Sequence, residues 1–183
     1  AKWLDASMTY SSALDLAAGG DLTDAQERKY RALADALCAR EGQHILEIGC
    51  GWGGFAEHAA RERGCRVTAL TISREQFDFA RERVHKAGLA ERVEVRMQDY
   101  RDERGVYDGV ASIEMFEAVG EAYWPAYFAQ VRDRLVSGGR AALQIITIDE
   151  EIFPRYRREL DFIRRYIFPG GMLPTRTILE KLG

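Results

Sequence analysis

The chain has no apolar run approaching the ~20 residues that a membrane-spanning helix requires. Its first residues, Ala-Lys-Trp-Leu-Asp, lack the apolar core of a secretion signal. It has little cysteine and histidine. Cys38, Cys50 and Cys65 cannot pair completely and make no C-x-x-C, while His44, His58 and His85 are scattered. That pattern points to reduced thiols in a cytoplasmic setting and away from a metal site. An excess of one charge sign is also missing: 26 basic and 29 acidic residues leave a net charge of −3, so no bulk attraction draws the chain to nucleic acid. Collagen-like, low-complexity and disordered compositions are excluded as well. What is present is 46% apolar and 30% charged sequence over 183 residues, which suits one soluble domain of ordinary size with a real core.

Strand-like and helix-like patterns alternate. Residues 24–39 carry Tyr30, Leu33, Ala34, Leu37 and Cys38 on one helical face, with Thr23 and Gln26 spaced as a capping box. His44-Ile-Leu-Glu-Ile is a buried-strand pattern running into glycines, and a helix is predicted from about Gly53 to Arg63. Arg66–Ile72 reads as the second strand. Ser73 opens the next helix, with Gln76 at the box position and Phe77, Ala80 and Val84 on one side. Val93–Met97 and Tyr107–Ile113 are strands three and four. Tyr127, Val131 and Leu135 mark a helix stopped by Gly138-Gly139, and Arg140–Thr147 is strand five. Repeated strand–helix units predict an α/β, Rossmann-like doubly wound parallel sheet with right-handed crossovers. In the tail, Ile152, Tyr156, Leu160, Ile163 and Ile167 fall on one helical stripe, with arginines at 155, 157, 158, 164 and 165. A short helix should follow Pro174. The expected layout is a single domain: an N-terminal helical cover (1–43), a cofactor-binding core (44–148) and a helical substrate-side segment (149–183). The sheet reads as short of strands, so a missing C-terminal part is expected.

The loop Glu47-Ile-Gly-Cys-Gly-Trp-Gly-Gly is the most informative stretch. Glycines there allow a tight strand-to-helix turn and let a ligand lie on bare backbone. Gly49, Gly51 and Gly54 also satisfy the dinucleotide pattern G-x-G-x-x-G. That reading wants an acid at the end of strand two for the adenine ribose, yet Leu70-Thr-Ile-Ser stands there. Glu47, just ahead of the glycines, would oppose a pyrophosphate and suit a cation. S-adenosylmethionine (SAM) has two cationic groups and no phosphate, and is favoured over a nicotinamide dinucleotide.

On these residues the chain resembles the cyclopropane-fatty-acyl-phospholipid synthases and mycolic acid cyclopropane synthases. The matching stretches are Met8-Thr-Tyr-Ser-Ser-Ala, the Glu47 loop, Leu70-Thr-Ile-Ser-Arg-Glu-Gln, Gln98-Asp-Tyr-Arg, Ser112-Ile-Glu-Met-Phe-Glu-Ala-Val-Gly and Tyr166-Ile-Phe-Pro-Gly-Gly-Met-Leu-Pro. The resemblance implies a class I SAM-dependent methyltransferase fold and methyl transfer to a cis double bond of a lipid acyl chain. It implies cofactor contacts from Tyr10 and Ser11 at the methionine end, Glu47 at the amino group, and Gly49 and Gly51 along the backbone. Thr71, Ile72 and Gln76 would hold the ribose and adenine, Gln98, Asp99 and Tyr100 would flank the adenine, and Ile113 would sit beside the sulfonium. Thr71, Gln76 and Asp99 have plainer alternatives as strand, cap and turn residues.

An alkene is a weak nucleophile, and methylating it leaves a carbocation, so a base must remove a proton. The family meets that need with a bound bicarbonate held by a cysteine, a glutamate, a histidine, a backbone group and a tyrosine. Those positions are here Ser12, Glu117, Gln144, Ile146 and Tyr166. Serine and glutamine donate hydrogen bonds without charge, so a weaker bicarbonate site is expected, and a methyl or methylene product stays open. Glu114 shares the face of Glu117; Glu117 is the expected catalytic residue, though helix capping is its plainer alternative. The arginine-bearing tail suits anionic lipid headgroups and contact with the inner face of the membrane; interleaved Glu159 and Asp161 suit a solvated face equally well. Unsaturated phospholipid is the expected partner, and a homo-oligomer is left open. The competing readings are methylation of a small amine and a SAM or lipid binder without catalysis.

Overall fold

In a computed structural model of the protein, residues 4–5, 7–16, 20–160 and 162–183 are described. The strands are β1 (His44–Ile48), β2 (Arg66–Thr71), β3 (Val93–Met97), β4 (Tyr107–Ile113) and β5 (Leu135–Gln144), with the most aliphatic runs in β1 and β2. They pair in parallel in the order β3-β2-β1-β4-β5. Ile45, Leu46, Ile48, Val67, Leu70 and Val110 are buried, which suits a parallel sheet covered on both faces. The helices are α1 (Leu22–Ala36), α2 (Gly54–Arg63), α3 (Arg74–Lys86), α4 (Trp124–Asp133), α5 (Phe153–Arg158) and α6 (Arg176–Leu182). One core cluster gathers Leu33, Phe55, Ala59 and Val84 from α1, α2 and α3. The other gathers Phe116, Trp124, Tyr127 and Met172 from α4 and its surroundings. Strand order reverses between β1 and β4, and in such sheets ligands bind beyond the carboxyl ends of the strands at that point.

Four local expectations change. The first helix begins at Leu22, not at 24, and Thr23 is not its cap. Asp21 fills that role by accepting the Thr23 N–H at 2.7 Å, a carboxylate being among the best N-caps. Gln26 is buried and donates to the Ser11 carbonyl at 2.9 Å. At α3 only half of the predicted box forms: Ser73 accepts the Gln76 N–H, while the Gln76 side chain turns toward Thr71 and Tyr10.

The third change is the boundary between α4 and β5. The helix ends at Asp133 and Leu135 already pairs with Tyr107 of β4. Gly138-Gly139 does not stop the helix. It sits inside a bulge where β4 advances from 107 to 109 while β5 advances from 135 to 140, and Gly138 takes φ +79°. The fourth is the tail, where the long stripe does not form. α5 stops at Arg158, and a separate wide turn covers Ile163–Ile167. Arg164 bends the chain between them by donating to the carbonyls of Tyr156 at 2.5 Å, Glu159 at 2.9 Å and Gly171 at 3.1 Å. Ile152, Leu160 and Ile167 are consequently exposed. Asp161 and the Ile163 side chain lie outside what is described. The short helix after Pro174 forms as α6, capped by Thr175.

Candidate active site

The loop leaving β1 takes left-handed backbone at Gly49 (φ +80°), Gly51 (+53°) and Gly53 (+80°), which only glycine adopts freely. The turn is pinned because Gly49 and Cys50 both donate to the Leu70 carbonyl of β2, at 3.1 and 2.8 Å. A methyl group at Gly49 would sit 2.7 Å from Met115 Cγ, and one at Gly51 would sit 3.2 Å from the Tyr10 ring. The bare backbone therefore lies under a cleft lined by Glu47, Gly49, Gly51, Tyr10, Ser11 and Ile113.

Glu47 is the electrostatic centre of this cleft. Its side chain is 2% exposed and its Oε2 has no hydrogen-bond partner. Burial pushes its pKa up to about 8, against the opposing pull of the Ala56 N–H and the Arg83 charge. A buried acceptor without a donor is expensive, and a ligand ammonium group would satisfy it. This acceptor therefore fits the ammonium group of SAM, and a buried carboxylate at this point opposes the pyrophosphate of a dinucleotide.

At the cleft mouth, Thr71 Oγ1 donates to Gln76 Oε1 at 2.7 Å, and Gln76 Nε2 donates to the Tyr10 hydroxyl at 3.3 Å. This chain links the end of β2 to the segment before α1. Ile72 beside it is 78% exposed, an apolar surface free to meet a flat ring. Gln98 and Asp99 are engaged within the protein. Gln98 donates to Glu103 at 3.2 Å, and Asp99 caps the turn at 100–102 and pairs with Arg101. That arginine holds the Asp99 carboxyl below its ordinary range. Tyr100 packs edge-on to Tyr127, with ring centroids 5.5 Å apart.

Sequence reasoning overlooked the group that holds residues 7–12 over the cleft. From α1, Gln26 donates to the Ser11 carbonyl, Lys29 donates to Ser11 Oγ at 2.6 Å, and the Tyr30 hydroxyl bonds Thr9 Oγ1 at 2.6 Å. Arg83 of α3 donates to the carbonyls of Ser7 at 2.6 Å and Trp52 at 3.3 Å and pairs with Glu57. The available signal was Gln26 and Lys29 on the otherwise apolar side of α1.

Beyond β4 the predicted catalytic residues divide between two carboxylates. Glu117 Oε1 accepts the Ile146 N–H at 2.5 Å, while its Oε2 is buried without a partner. Burial raises the Glu117 pKa, and the neighbouring Glu114 charge adds to the rise. Ser12 and Gln144 turn elsewhere: Glu114 Oε1 accepts the Ser12 N–H at 2.8 Å and the Gln144 amide at 2.9 Å. Glu114 has φ +49°, a conformation that costs a side-chain-bearing residue about 1–2 kcal/mol. Tyr166 is 62% exposed and packs against Phe162 and Arg165. Among the described residues no group of three His, Cys, Asp or Glu is placed to hold a metal ion.

The model of the mycolic acid cyclopropane synthetase family matches residues 1–182. The chain belongs to this family. A relative in Mycobacterium tuberculosis, tuberculostearic acid methyltransferase UfaA1, is 44% identical over 191 residues, covering 100% of this chain and 44% of its own length. The cyclopropane-fatty-acyl-phospholipid synthase of Escherichia coli K12 is 37% identical over 177 residues, covering 95% of this chain and 43% of its own. The chain therefore spans less than half the length of these two curated relatives. The crystal structure of mycolic acid cyclopropane synthase CmaA1 with SAH and CTAB superposes with TM-score 0.89 at 28% identity, covering 98% of this chain and 66% of that one. The five-stranded parallel sheet thus follows the class I methyltransferase pattern that the motifs predict. The family-derived bicarbonate fits less well. The N–H groups of Ser12, Gln144 and Ile146 already face the carboxylates of Glu114 and Glu117, and a further anion would meet two like charges.

Proposed function

We propose that this chain is the cofactor-binding part of a SAM-dependent methyltransferase acting on unsaturated acyl chains of lipids, with phospholipid as the substrate form. The observation that carries the reading is the buried, partnerless Oε2 of Glu47 at the floor of a glycine-lined cleft. When bound, SAM supplies an electrophilic methyl group and departs as a neutral thioether. Glu47 accepts hydrogen bonds from its ammonium, and the bare backbone at Gly49 and Gly51 lets the ligand approach. Thr71 and Gln76 offer polar groups to the ribose, Ile72 an apolar face to the adenine, and Ile113 a wall beside the sulfonium. Tyr10 and Ser11 cover the cleft and exclude water, which aligns and desolvates the reacting atoms.

The lipid assignment draws support from the family and from the surface near α5. Ile152, Phe162, Tyr166 and Phe168 are exposed there, with Arg155, Arg157, Arg158 and Arg165 in the same stretch. Apolar side chains among arginines suit the headgroup boundary of an anionic membrane, so a cytoplasmic protein touching the inner membrane face is part of the reading. Among the described residues no helix is long and apolar enough to cross a membrane.

The test is methyl transfer from radiolabelled SAM to vesicles of unsaturated or saturated phospholipid. Label is expected in the unsaturated lipid alone. Label confined to water-soluble amines would overturn the substrate assignment. SAM binding without transfer to any acceptor would overturn the catalytic one.

A further inference from the structure

We propose that Glu114 is the base of this site, its carboxylate standing where the family resemblance puts an external bicarbonate. The inference rests on the methyltransferase reading above.

Three observations meet at this residue. Its Oε1 collects the Ser12 N–H at 2.8 Å and the Gln144 amide at 2.9 Å, so two groups expected to hold an anion hold a side chain of the protein. Gln144 Nε2 also donates to the Ser12 carbonyl at 3.2 Å, tying the two donors together. The backbone of Glu114 is left-handed, φ +49°, and is fixed there by its N–H on the Gln144 carbonyl at 2.9 Å. Backbone conformations this rare in side-chain-bearing residues gather at functional sites, where the surrounding structure imposes them. Finally, Glu114 directly follows Ile113, which lines the cofactor cleft, and its charge acts on Tyr10 of the same cleft.

The chemistry balances without another reagent. The π pair of the alkene forms a bond to the methyl carbon while the carbon–sulfur pair leaves on sulfur. A cation remains on the adjacent carbon. A proton then passes to the Glu114 carboxylate, and the released C–H pair closes a ring or a double bond. Ser12 and Gln144 act as positioning residues that aim the acceptor oxygen. Glu117 stays beside it on the Ile146 N–H.

The test compares the full chain with Glu114→Gly and Glu114→Gln. Glycine suits φ +49°, so the first variant is expected to fold, which circular dichroism checks. Carbon-13 NMR of labelled bicarbonate is expected to show no binding to the unaltered protein and binding to Glu114→Gly. Methyl transfer by the unaltered protein should be unchanged in bicarbonate-free buffer, and should fall about 100-fold or more in Glu114→Gln with SAM affinity retained. Added bicarbonate should restore part of the turnover of Glu114→Gly. Bicarbonate binding to the unaltered protein, or turnover that stops when bicarbonate is removed, would overturn the proposal. A protein that labels no lipid in any buffer contradicts the methyltransferase reading, and the NMR comparison then still decides whether Glu114 fills the anion position.

Discussion

Glu117 receives the Ile146 backbone N–H on one carboxylate oxygen and buries the other against nothing that can donate to it. Glu117→Gln keeps the acceptor for Ile146 and puts an amide where the partnerless oxygen now lies. Stability should therefore change by less than about 1 kcal/mol, read as the urea midpoint. Methyl transfer should fall less than in Glu114→Gln, because Glu117 flanks the base without taking the proton, and SAM affinity should stay intact. Equal losses of binding and turnover would show that the residue only shapes the cleft.

Glu47 makes cofactor affinity depend on pH. Its folded-state pKa is about 8 against an ordinary 4.5. The proton it holds stabilises the fold fully below pH 4.5, and that contribution is lost as pH rises through 8. A ligand ammonium needs the ionised form, so binding at pH 7 should release about one proton. Calorimetry in buffers of different ionisation heat measures this directly. Glu47→Gln should abolish the proton release and weaken SAM binding about 10- to 100-fold.

Gly49→Ala tests the glycine loop. The new methyl meets Met115 Cγ at 2.7 Å and the backbone stays at φ +80°. A loss of about 1–2 kcal/mol is expected in urea unfolding, with cofactor binding impaired more than in Gly88→Ala. Gly88 shares the positive φ but has open space around it, so equal effects at the two positions would refute the crowding argument.

Lys29 is buried beside Ser11, and burial lowers its pKa from 10.5 to about 8. The folded protein sheds this proton near pH 8 and the unfolded chain near 10.5, so the group makes stability rise with pH across that window. Lys29→Met should remove that rise, visible as the difference between the two proteins' urea midpoints at pH 7 and pH 10.

Much of the frame was legible because period and punctuation agree. The runs at 44–48, 66–72, 93–97 and 107–113 are short and bounded by turn residues, and all four form strands, the second ending one residue early at Thr71. The Glu47 loop was legible for the same local reason, since its glycines take the backbone angles that only they take freely. Failures came where a distant group decides the outcome. Gly138-Gly139 reads as a helix stop, but pairing with β4 draws Leu135 into the sheet and leaves the glycines in a bulge. The tail stripe has sound helical spacing, yet the Arg164 guanidinium gathers carbonyls from both sides of a break. The contact between Glu114 and the N–H of Ser12, over a hundred positions earlier, follows from no spacing rule.

Arg83 reaches the Ser7 carbonyl, the Trp52 carbonyl and the Glu57 carboxylate with one guanidinium. The leading segment, the glycine turn and the helix behind it are thereby fastened to a single point on α3. Whatever occupies the turn must then tighten the leading segment by the same free energy that the segment lends to its retention, because linkage is reciprocal. Amide exchange across residues 7–12 would accordingly slow on loading the cleft, and Arg83→Lys would let the two events drift apart.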